Sequence, residues 1–158
     1  MKAVNQINYR EKCMLEAIKN LLFKQKKEVR GNNNSLATKG ESLAAKFLKR
    51  KGYIIVQRNY RRKTGEIDIV CYDHGTMVFV EVKTRCSDAF GPPELAITNA
   101  KKKQLVKVAS CYIAEKKIED MPLRFDVVSI FYSPSRKQPT VKIFKSAFTR
   151  NDLVVSRR

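Results

Sequence analysis

Residues 65–72 alternate between apolar and polar or charged side chains, and residues 77–84 carry a valine at every second position up to Val82. A period of two is typical of β-strands, because successive side chains point to opposite faces. The residues between them, 73–76, include Asp73 and Gly75 and have the composition of a turn. The two segments therefore predict a β-hairpin, and the rest of the fold must be arranged around it.

Both predicted strands carry acidic side chains at the end away from the turn. Glu81 and Lys83 share one face of the second strand, while Glu66 and Asp68 share one face of the first. The hairpin can bring Asp68 opposite or diagonal to Glu81. Two like charges across a strand pair are unfavourable unless something neutralises them, and a divalent cation would do so. The sequence therefore points to a metal site on this hairpin.

Such a site fits the hydrolysis of phosphodiester bonds. Mg²⁺ bound by one or two carboxylates keeps several waters, can make one of them nucleophilic near neutral pH and offsets charge in the transition state. Lys83 could orient or deprotonate that water, or stabilise the developing charge. Glu41, early in a predicted helix, could complete the acidic cluster or hold a metal-bound water.

We therefore predict four catalytic residues, Asp68, Glu81, Lys83 and Glu41. The three carboxylates Asp68, Glu81 and Glu41 are the predicted ligands of Mg²⁺, for which Mn²⁺ would substitute. The alternative is an ion pair that faces solvent, which is the commoner role of an isolated Glu-x-Lys on a strand.

The balance of charge indicates the kind of partner. The 158 residues include 33 lysines and arginines against 15 aspartates and glutamates, a formal charge of +18. We expect a nucleic acid, and DNA in particular, and the alternative is a basic soluble protein without such a partner. The charge is spread along the chain, and the apolar runs fall short of the roughly 20 residues of a membrane-spanning helix, so no membrane is expected.

Cysteine and histidine usage argues against zinc. The four cysteines form no C-x-x-C pair, and the chain has a single histidine. A zinc site is therefore not expected. Free thiols and an N-terminus without the apolar core of a signal peptide predict a location in the reducing cytoplasm.

Basic residues near the predicted metal site are candidates for contacts with the nucleic-acid backbone. They precede the hairpin, follow its second strand or open the helix predicted at about 98–117: Arg61, Arg62, Lys63, Arg85, Lys101 and Lys102. For the lysines that open the helix, a solvated cluster is an equal alternative.

The hairpin belongs to a longer series of predicted elements. Thr38 with Glu41 forms a capping-box pattern for a helix that ends near Gly52. Strands follow at 53–57, 65–72 and 77–84, then the helix at about 98–117, then strands at 123–131 and 141–144. The order αβββαββ predicts an α/β domain over residues 35–158, with a mixed sheet flanked by helices and a short basic tail.

Residues 1–34 differ from this domain. Apolar side chains at helical spacing predict a basic helix from about Tyr9 to Val29, and the run from Gly31 to Ser35 favours a hinge. An extra nucleic-acid-binding helix, a helix that docks a protein partner and a misassigned start codon are equally open explanations.

Four short motifs resemble, in their order and spacing, those of the bacterial YraN family, an uncharacterised protein family (family 0102). They are Lys39-Gly40-Glu41, Gly65-Glu66-Ile67-Asp68, the run 79–85 and Arg124-Phe125-Asp126-Val127-Val128. The resemblance covers about residues 37–148. It implies similarity to archaeal Holliday junction resolvases and to the restriction-endonuclease-like, or PD-(D/E)xK, fold. By that resemblance Asp68, Glu81 and Lys83 take the D…ExK positions, and Glu41 takes the helix carboxylate.

The sequence leaves two main functions open. The first is a metal-dependent endonuclease that hydrolyses phosphodiester bonds in DNA, with branched or recombination and repair intermediates among its substrates. The second is a non-cleaving nucleic-acid-binding module of the same fold. All four site residues are intact, which favours the first. A weaker third option is an adaptor that binds a protein partner through residues 1–34, and a homodimer is compatible with each.

Overall fold

A computed structural model describes residues 35–86, 97–118, 120–133 and 135–149. Within these residues the chain forms α1 (Leu36–Arg50), β1 (Ile54–Arg62), β2 (Gly65–Asp73), β3 (Thr76–Arg85), α2 (Asn99–Lys116), β4 (Leu123–Phe131) and β5 (Thr140–Phe148). The helical extension predicted for residues 1–34, the loop at 87–96 and the basic tail from residue 150 lie outside the described residues.

The strands form one mixed sheet in the order β1-β2-β3-β4-β5. Strands β1, β2 and β3 are antiparallel neighbours, β4 runs parallel to β3, and β5 returns antiparallel to β4. A parallel pair needs a crossover connection, and α2 lies in the connection between β3 and β4. The predicted αβββαββ order and the α/β class are confirmed.

The two helices pack on opposite faces of the sheet. Leu48 of α1 belongs to a buried cluster that includes Val80 of β3. Tyr112 of α2 meets Phe79 of the same strand, with ring centroids 5.9 Å apart. Phe79 and Val80 are neighbours in a strand and therefore point to opposite faces. Among the described residues, no helix has the length and apolar composition needed to cross a membrane.

Helix α1 begins earlier than its sequence pattern indicates. The prediction that Thr38 caps the helix in a box with Glu41 is wrong, because the N-cap is Ser35. The side-chain oxygen of Ser35 accepts a hydrogen bond from the backbone N–H of Thr38 at 3.2 Å, which satisfies one of the unpaired N–H groups of the first turn. Glu41 therefore lies in the second turn, where its side chain is available for other contacts.

Strands β1 and β5 are longer than their predicted cores at 53–57 and 141–144. The second half of β1 is polar and lacks apolar alternation, so its sequence does not identify it as a strand. Pairing with β2 extends it, and this pairing places Arg61 opposite Glu66 and Arg62 opposite Gly65. Both arginines are thereby held on a strand beside the first residues of β2.

Candidate active site and the adjoining basic groove

Asp68 lies where the pairing of β2 with β3 ends. The antiparallel register stops at Ile69 with Val80. Beyond it, the Asp68 carboxylate accepts a hydrogen bond from the backbone N–H of Val82 at 2.7 Å. A side-chain oxygen thus takes the place of a strand carbonyl as the acceptor for this N–H. The contact holds the Asp68 carboxylate close enough to Glu81 for their charges to interact, as the hairpin predicts.

Glu81 is buried, with 4% of its side chain exposed. Its Oε1 accepts a hydrogen bond from Nζ of Lys83 at 2.7 Å. Its Oε2 lies 3.2 Å from Nζ of Lys101 on α2. The second contact is an ion pair without hydrogen-bond geometry, so Oε2 is buried without a hydrogen bond from the described residues. Burying an ionised carboxylate costs free energy, and the neighbouring cations offset this cost.

The pKa of Asp68 is raised to about 7, first by burial and then by the negative charges of Glu81 and Glu41. The hydrogen bond from Val82 and the charge of Lys101 oppose this rise without cancelling it. In the absence of a cation, the carboxyl group of Asp68 therefore holds its proton at a higher pH than an ordinary aspartate does. A cation bound between the carboxylates would favour the ionised form, so the site can exchange a proton for a cation.

Glu41 reaches the same acidic group from α1. Its charge contributes to the raised pKa of Asp68, and its Oε2 is buried without a hydrogen-bond partner among the described residues. Gly40 allows this approach, because a Cβ built on Gly40 would lie only 2.1 Å from Oγ1 of Thr84 on β3. The absence of a side chain at position 40 therefore sets how closely α1 approaches the sheet.

Replacing Gly40 with alanine is expected to destabilise the fold by about 1 to 3 kcal/mol, despite the better helix propensity of alanine, because the new methyl group overlaps the Thr84 hydroxyl. Urea denaturation of both proteins measures the difference. In the double variant with Thr84→Ala, the nearest atom becomes Cβ of residue 84 at 3.3 Å, so most of the loss should be recovered. Equal destabilisation with and without Thr84→Ala would show that this contact is not the cause.

The acidic group fits a divalent cation that prefers oxygen ligands. Oε2 of Glu81 and Oε2 of Glu41 are both buried without hydrogen bonds from the described residues, and both side chains act on the pKa of Asp68. No three acidic, histidine or cysteine side chains in the described part of the chain form a ready-made metal cluster. Mg²⁺ does not need one, since one or two carboxylates and several waters commonly hold it. The assignment of these carboxylates as metal ligands stays a prediction.

A polar groove of about 390 Å³ adjoins the acidic group. It lies between the β1–β2 turn and the start of α2, and it is lined by four cationic side chains and one carboxylate together with Thr64, Gly65 and Gln104; the charged residues are Arg61, Arg62, Lys63, Lys101 and Glu66. Gln104 packs directly on Gly65, where a Cβ would lie 2.5 Å from Cδ of Gln104. Lys101 belongs to both sites, because it also pairs with Glu81. Four of the predicted nucleic-acid-binding residues thus share one groove, which we call the basic groove.

Exposed ion pairs hold the two arginines of the basic groove. Nε of Arg61 lies 2.9 Å from a carboxylate oxygen of Glu66. Arg62 pairs with Glu115, and its guanidinium lies 4.5 Å from the ring centroid of Tyr60. Ion pairs in contact with solvent contribute little stability. The arginines can therefore exchange these carboxylates for phosphate at small cost.

The two remaining nucleic-acid-binding predictions fall elsewhere. Nζ of Lys102 lies 5.8 Å from the ring centroid of Phe148 on β5, and Arg85 is the last residue of β3. Neither is among the described residues that line the basic groove. Their role in binding nucleic acid stays a prediction.

Lys101 and Gln104 of α2 contribute to the site, although neither belongs to the motifs of the hairpin. The sequence predicts that Lys101 contacts phosphate or solvent, whereas its ammonium lies on Glu81. Gln104 lines the basic groove beside it. The helical period indicates the position of both, because Lys101 precedes the buried residue Leu105 by four positions and Gln104 precedes the buried residue Val108 by four.

Residues 40–130 match the uncharacterised protein family UPF0102. The chain belongs to this family. Proteins named UPF0102 protein from Geobacter metallireducens, Geotalea daltonii and Caldicellulosiruptor saccharolyticus are 47%, 45% and 41% identical to it over 117, 121 and 117 residues. These alignments cover 74%, 77% and 74% of this chain and 94%, 94% and 99% of the relatives. Among solved structures, the crystal structure of SSO0001 aligns over 94% of this chain and 84% of that one, with 13% identity and a TM-score of 0.29, too low to indicate a shared fold.

The YraN resemblance of the sequence is thereby confirmed. In this UPF0102 member, the matched region runs from Gly40 in α1 to Ile130 in β4. It therefore contains Glu41, Asp68 and Glu81 together with the basic groove. Membership of UPF0102 names no activity, so the function has to be argued from the site itself.

Proposed function

We propose that this protein is a metal-dependent nuclease that hydrolyses phosphodiester bonds in DNA, branched and repair intermediates included. One observation carries the proposal: the buried carboxylate of Glu81 and the half-buried carboxylates of Asp68 and Glu41 meet the basic groove at Lys101. The pKa of Asp68 is raised by burial and by the charges of Glu81 and Glu41, so its ionised form is costly unless a cation binds beside it. A groove lined by four cationic side chains against one carboxylate suits a row of phosphates. The scissile phosphate would lie beside Lys101, where the carboxylates and the basic groove meet.

The residues of the site have separate tasks. Asp68, Glu81 and Glu41 provide oxygen ligands for Mg²⁺ or Mn²⁺. When bound, the cation supplies a nucleophilic water and offsets charge on the phosphate. Lys83 is held by its 2.7 Å hydrogen bond to Glu81, so its ammonium stands beside the site to orient the attacking water or to stabilise the charge that develops on the phosphate. Lys101 and the arginines of the basic groove bind the flanking phosphates.

The architecture supports a restriction-endonuclease-like fold for this chain. The carboxylates Asp68 and Glu81 lie on the antiparallel β2–β3 hairpin, and α2 leads from β3 to the parallel strand β4. Lys83 follows Glu81 by two positions, as the D…ExK pattern of the resemblance implies. Helix α1 contributes Glu41 to the same group.

A non-cleaving nucleic-acid-binding module is the second candidate, and one observation favours it. The two oxygens of Glu81 face the ammonium groups of Lys83 and Lys101, so the protein already neutralises this carboxylate with its own charges. In a protein that only binds nucleic acid, this balance would hold β3 and α2 together without a metal ion. The two candidates differ because only the nuclease requires a cation for turnover.

Incubating the purified protein with linear, nicked, flapped and four-way DNA separates the two candidates. A nuclease is expected to cleave at least one of these substrates in Mg²⁺ or Mn²⁺ and none of them in EDTA. The Glu81→Gln variant, purified in the same way, controls for contaminating nucleases. Binding without cleavage under every condition would establish the non-cleaving module instead.

DNA binding is expected to weaken steeply as salt increases. Each neutralised phosphate releases counter-ions, so the cations Arg61, Arg62, Lys63 and Lys101 of the basic groove predict roughly a hundredfold loss of affinity between about 50 and 200 mM salt. Fluorescence anisotropy with a labelled duplex measures the slope. Lys63→Ala should lower the slope by about one, whereas Lys142→Ala, at an exposed position of β5, should leave it unchanged. A flat response to salt would contradict nucleic acid as the main partner.

A further inference from the structure

Lys101 is shared by the acidic group and the basic groove. Its Nζ lies 3.2 Å from Oε2 of Glu81, and the same residue lines the groove. Its backbone is fixed, because the N–H of Lys101 donates to Oγ1 of Thr98, the N-cap of α2. Its side chain is 25% exposed. Rotation about the side-chain bonds alone can therefore move the ammonium from Glu81 towards the groove.

The contact of Lys101 is the weaker of the two that neutralise Glu81. Lys83 donates a 2.7 Å hydrogen bond to Oε1. Lys101 approaches Oε2 without hydrogen-bond geometry, so this buried oxygen accepts no hydrogen bond from the described residues. A charge that is near but not hydrogen-bonded acts mainly by Coulomb attraction, which another cation can supply equally well. A divalent cation brings twice the charge, so it would replace the ammonium of Lys101 before that of Lys83.

We propose that Lys101 is an exchangeable counter-ion. It neutralises Glu81 when no divalent cation is bound, and it turns into the basic groove to bind a phosphate of the nucleic acid when one is bound. The inference rests on the proposed function, since it takes the same cation and the same polyanion as ligands. It adds a coupling between them, because cation binding releases the ammonium that the nucleic acid uses. By linkage, each ligand then raises the affinity for the other by the same factor.

If this exchange occurs, removing the Lys101 ammonium raises the affinity for the cation and lowers the affinity for DNA. Without nucleic acid, Lys101→Met removes a competitor and is expected to tighten cation binding by about three- to tenfold. With the cation present, the same variant lacks one phosphate contact, and its DNA affinity is expected to fall by about three- to tenfold. A residue that only supports the fold, or only binds DNA, would not produce opposite signs.

The experiment measures both affinities on the full-length protein after metal removal with EDTA and dialysis. Calorimetry gives the affinity for Ca²⁺, a hard cation that takes oxygen ligands. Fluorescence anisotropy gives the affinity for a labelled duplex with and without Ca²⁺, and electrophoresis checks that the duplex stays intact. Lys101→Arg keeps the charge and is expected to bind Ca²⁺ as the wild type does. Lys107→Met removes one charge from an exposed position of the same helix and should change either affinity by less than about twofold.

Tighter Ca²⁺ binding together with weaker DNA binding in Lys101→Met, and not in Lys107→Met, is the expected result. If Lys101→Met binds Ca²⁺ like the wild type or more weakly, Lys101 does not compete at Glu81, and the exchange is wrong although the metal site stands. If the wild type binds neither Ca²⁺ nor Mn²⁺, the proposed metal site fails and the exchange fails with it. Melting curves in EDTA identify a variant that has lost its fold, and Lys101→Gln is a second uncharged replacement for that case.

Discussion

Replacement of Lys83 with methionine is expected to reduce DNA cleavage by about 10²- to 10⁴-fold, the range for the loss of a group that moves a proton or stabilises charge in the transition state. The same variant is expected to bind Mn²⁺ with nearly wild-type affinity, because Lys83 stays on Oε1 of Glu81 and, unlike Lys101, does not compete with the cation for Oε2. The geometry explains this division. Lys83 donates to Oε1 of Glu81. Oε2 of Glu81 instead lies beside the ammonium of Lys101, and the carboxylate of Asp68 accepts a hydrogen bond from the N–H of Val82. Calorimetry with Mn²⁺ and a single-turnover cleavage assay measure the two effects separately.

Three further variants complete this test. Asp68→Asn and Glu81→Gln are expected to lose Mn²⁺ binding and cleavage together, and Lys142→Met controls for the loss of one exposed lysine from a strand. Because Lys83 also neutralises a buried carboxylate, its removal can lower stability, and melting curves must accompany the assays. If the variants at positions 68, 81 and 83 all unfold, these residues form a structural ion cluster. If the two carboxylate variants bind Mn²⁺ as the wild type does, the metal assignment is wrong.

The acidic hairpin could be predicted from the sequence because it depends on local patterns. Alternation sets the faces of each strand, and a short turn sets their pairing, so the proximity of Asp68 and Glu81 is a matter of register alone. The observed register pairs Ile69 with Val80 and leaves Asp68 and Glu81 as the next residues outward. The side-chain hydrogen bond from Val82 to Asp68 is a finer detail that the pattern does not contain.

The contacts of Lys101 with Glu81 and of Gly40 with Thr84 could not be predicted from local sequence patterns. Whether the Lys101 ammonium meets solvent, phosphate or Glu81 depends on how α2 lies on the sheet, and contacts such as Tyr112 with Phe79 set that position. Likewise, the need for glycine at position 40 appears only when α1 meets Thr84. These contacts join residues far apart along the chain and follow from the shapes and volumes of packed side chains, which no periodic pattern encodes.

Asp73, the last residue of β2, has the opposite electrostatic environment to that of Asp68. Burial alone would raise its pKa, but hydrogen bonds, first among them that of Arg124, outweigh burial and hold the pKa of Asp73 well below its ordinary value. Arg124 lies 2.6 Å from Asp73 and 2.9 Å from Asp126, so both carboxylates have a cationic partner. A buried carboxylate with such partners stabilises the fold when ionised. A carboxylate that is removed from water and lies beside other carboxylates, as Asp68 does, destabilises the fold when ionised.

The two aspartates should therefore give opposite dependences of stability on pH. In the absence of a cation, the folded protein raises the pKa of Asp68 to about 7 from an ordinary value of about 4, so it binds this proton more tightly than the unfolded chain does. The contribution of Asp68 to the free energy of unfolding is then lost as the pH rises from about 4 to about 7, by about 2 to 4 kcal/mol. In EDTA, Asp68→Asn, which keeps an acceptor for the Val82 N–H, should match the wild type near about pH 4 and exceed its stability by this amount at about pH 8.

Asp73→Asn is the matched comparison, with the opposite sign. Because the pKa of Asp73 is lowered, this variant should be less stable than the wild type at neutral pH and should approach it as the pH falls below about 4. Urea denaturation across the pH range measures both curves.

Mn²⁺ at a hundredfold excess over its Kd should add about 2.7 kcal/mol to the stability of the wild type at about pH 8 and little to that of Asp68→Asn. If Asp68→Asn shows no gain in EDTA at high pH, ionised Asp68 is not destabilised by burial and by Glu81 and Glu41, and the main physical reason to expect a cation between these carboxylates is removed.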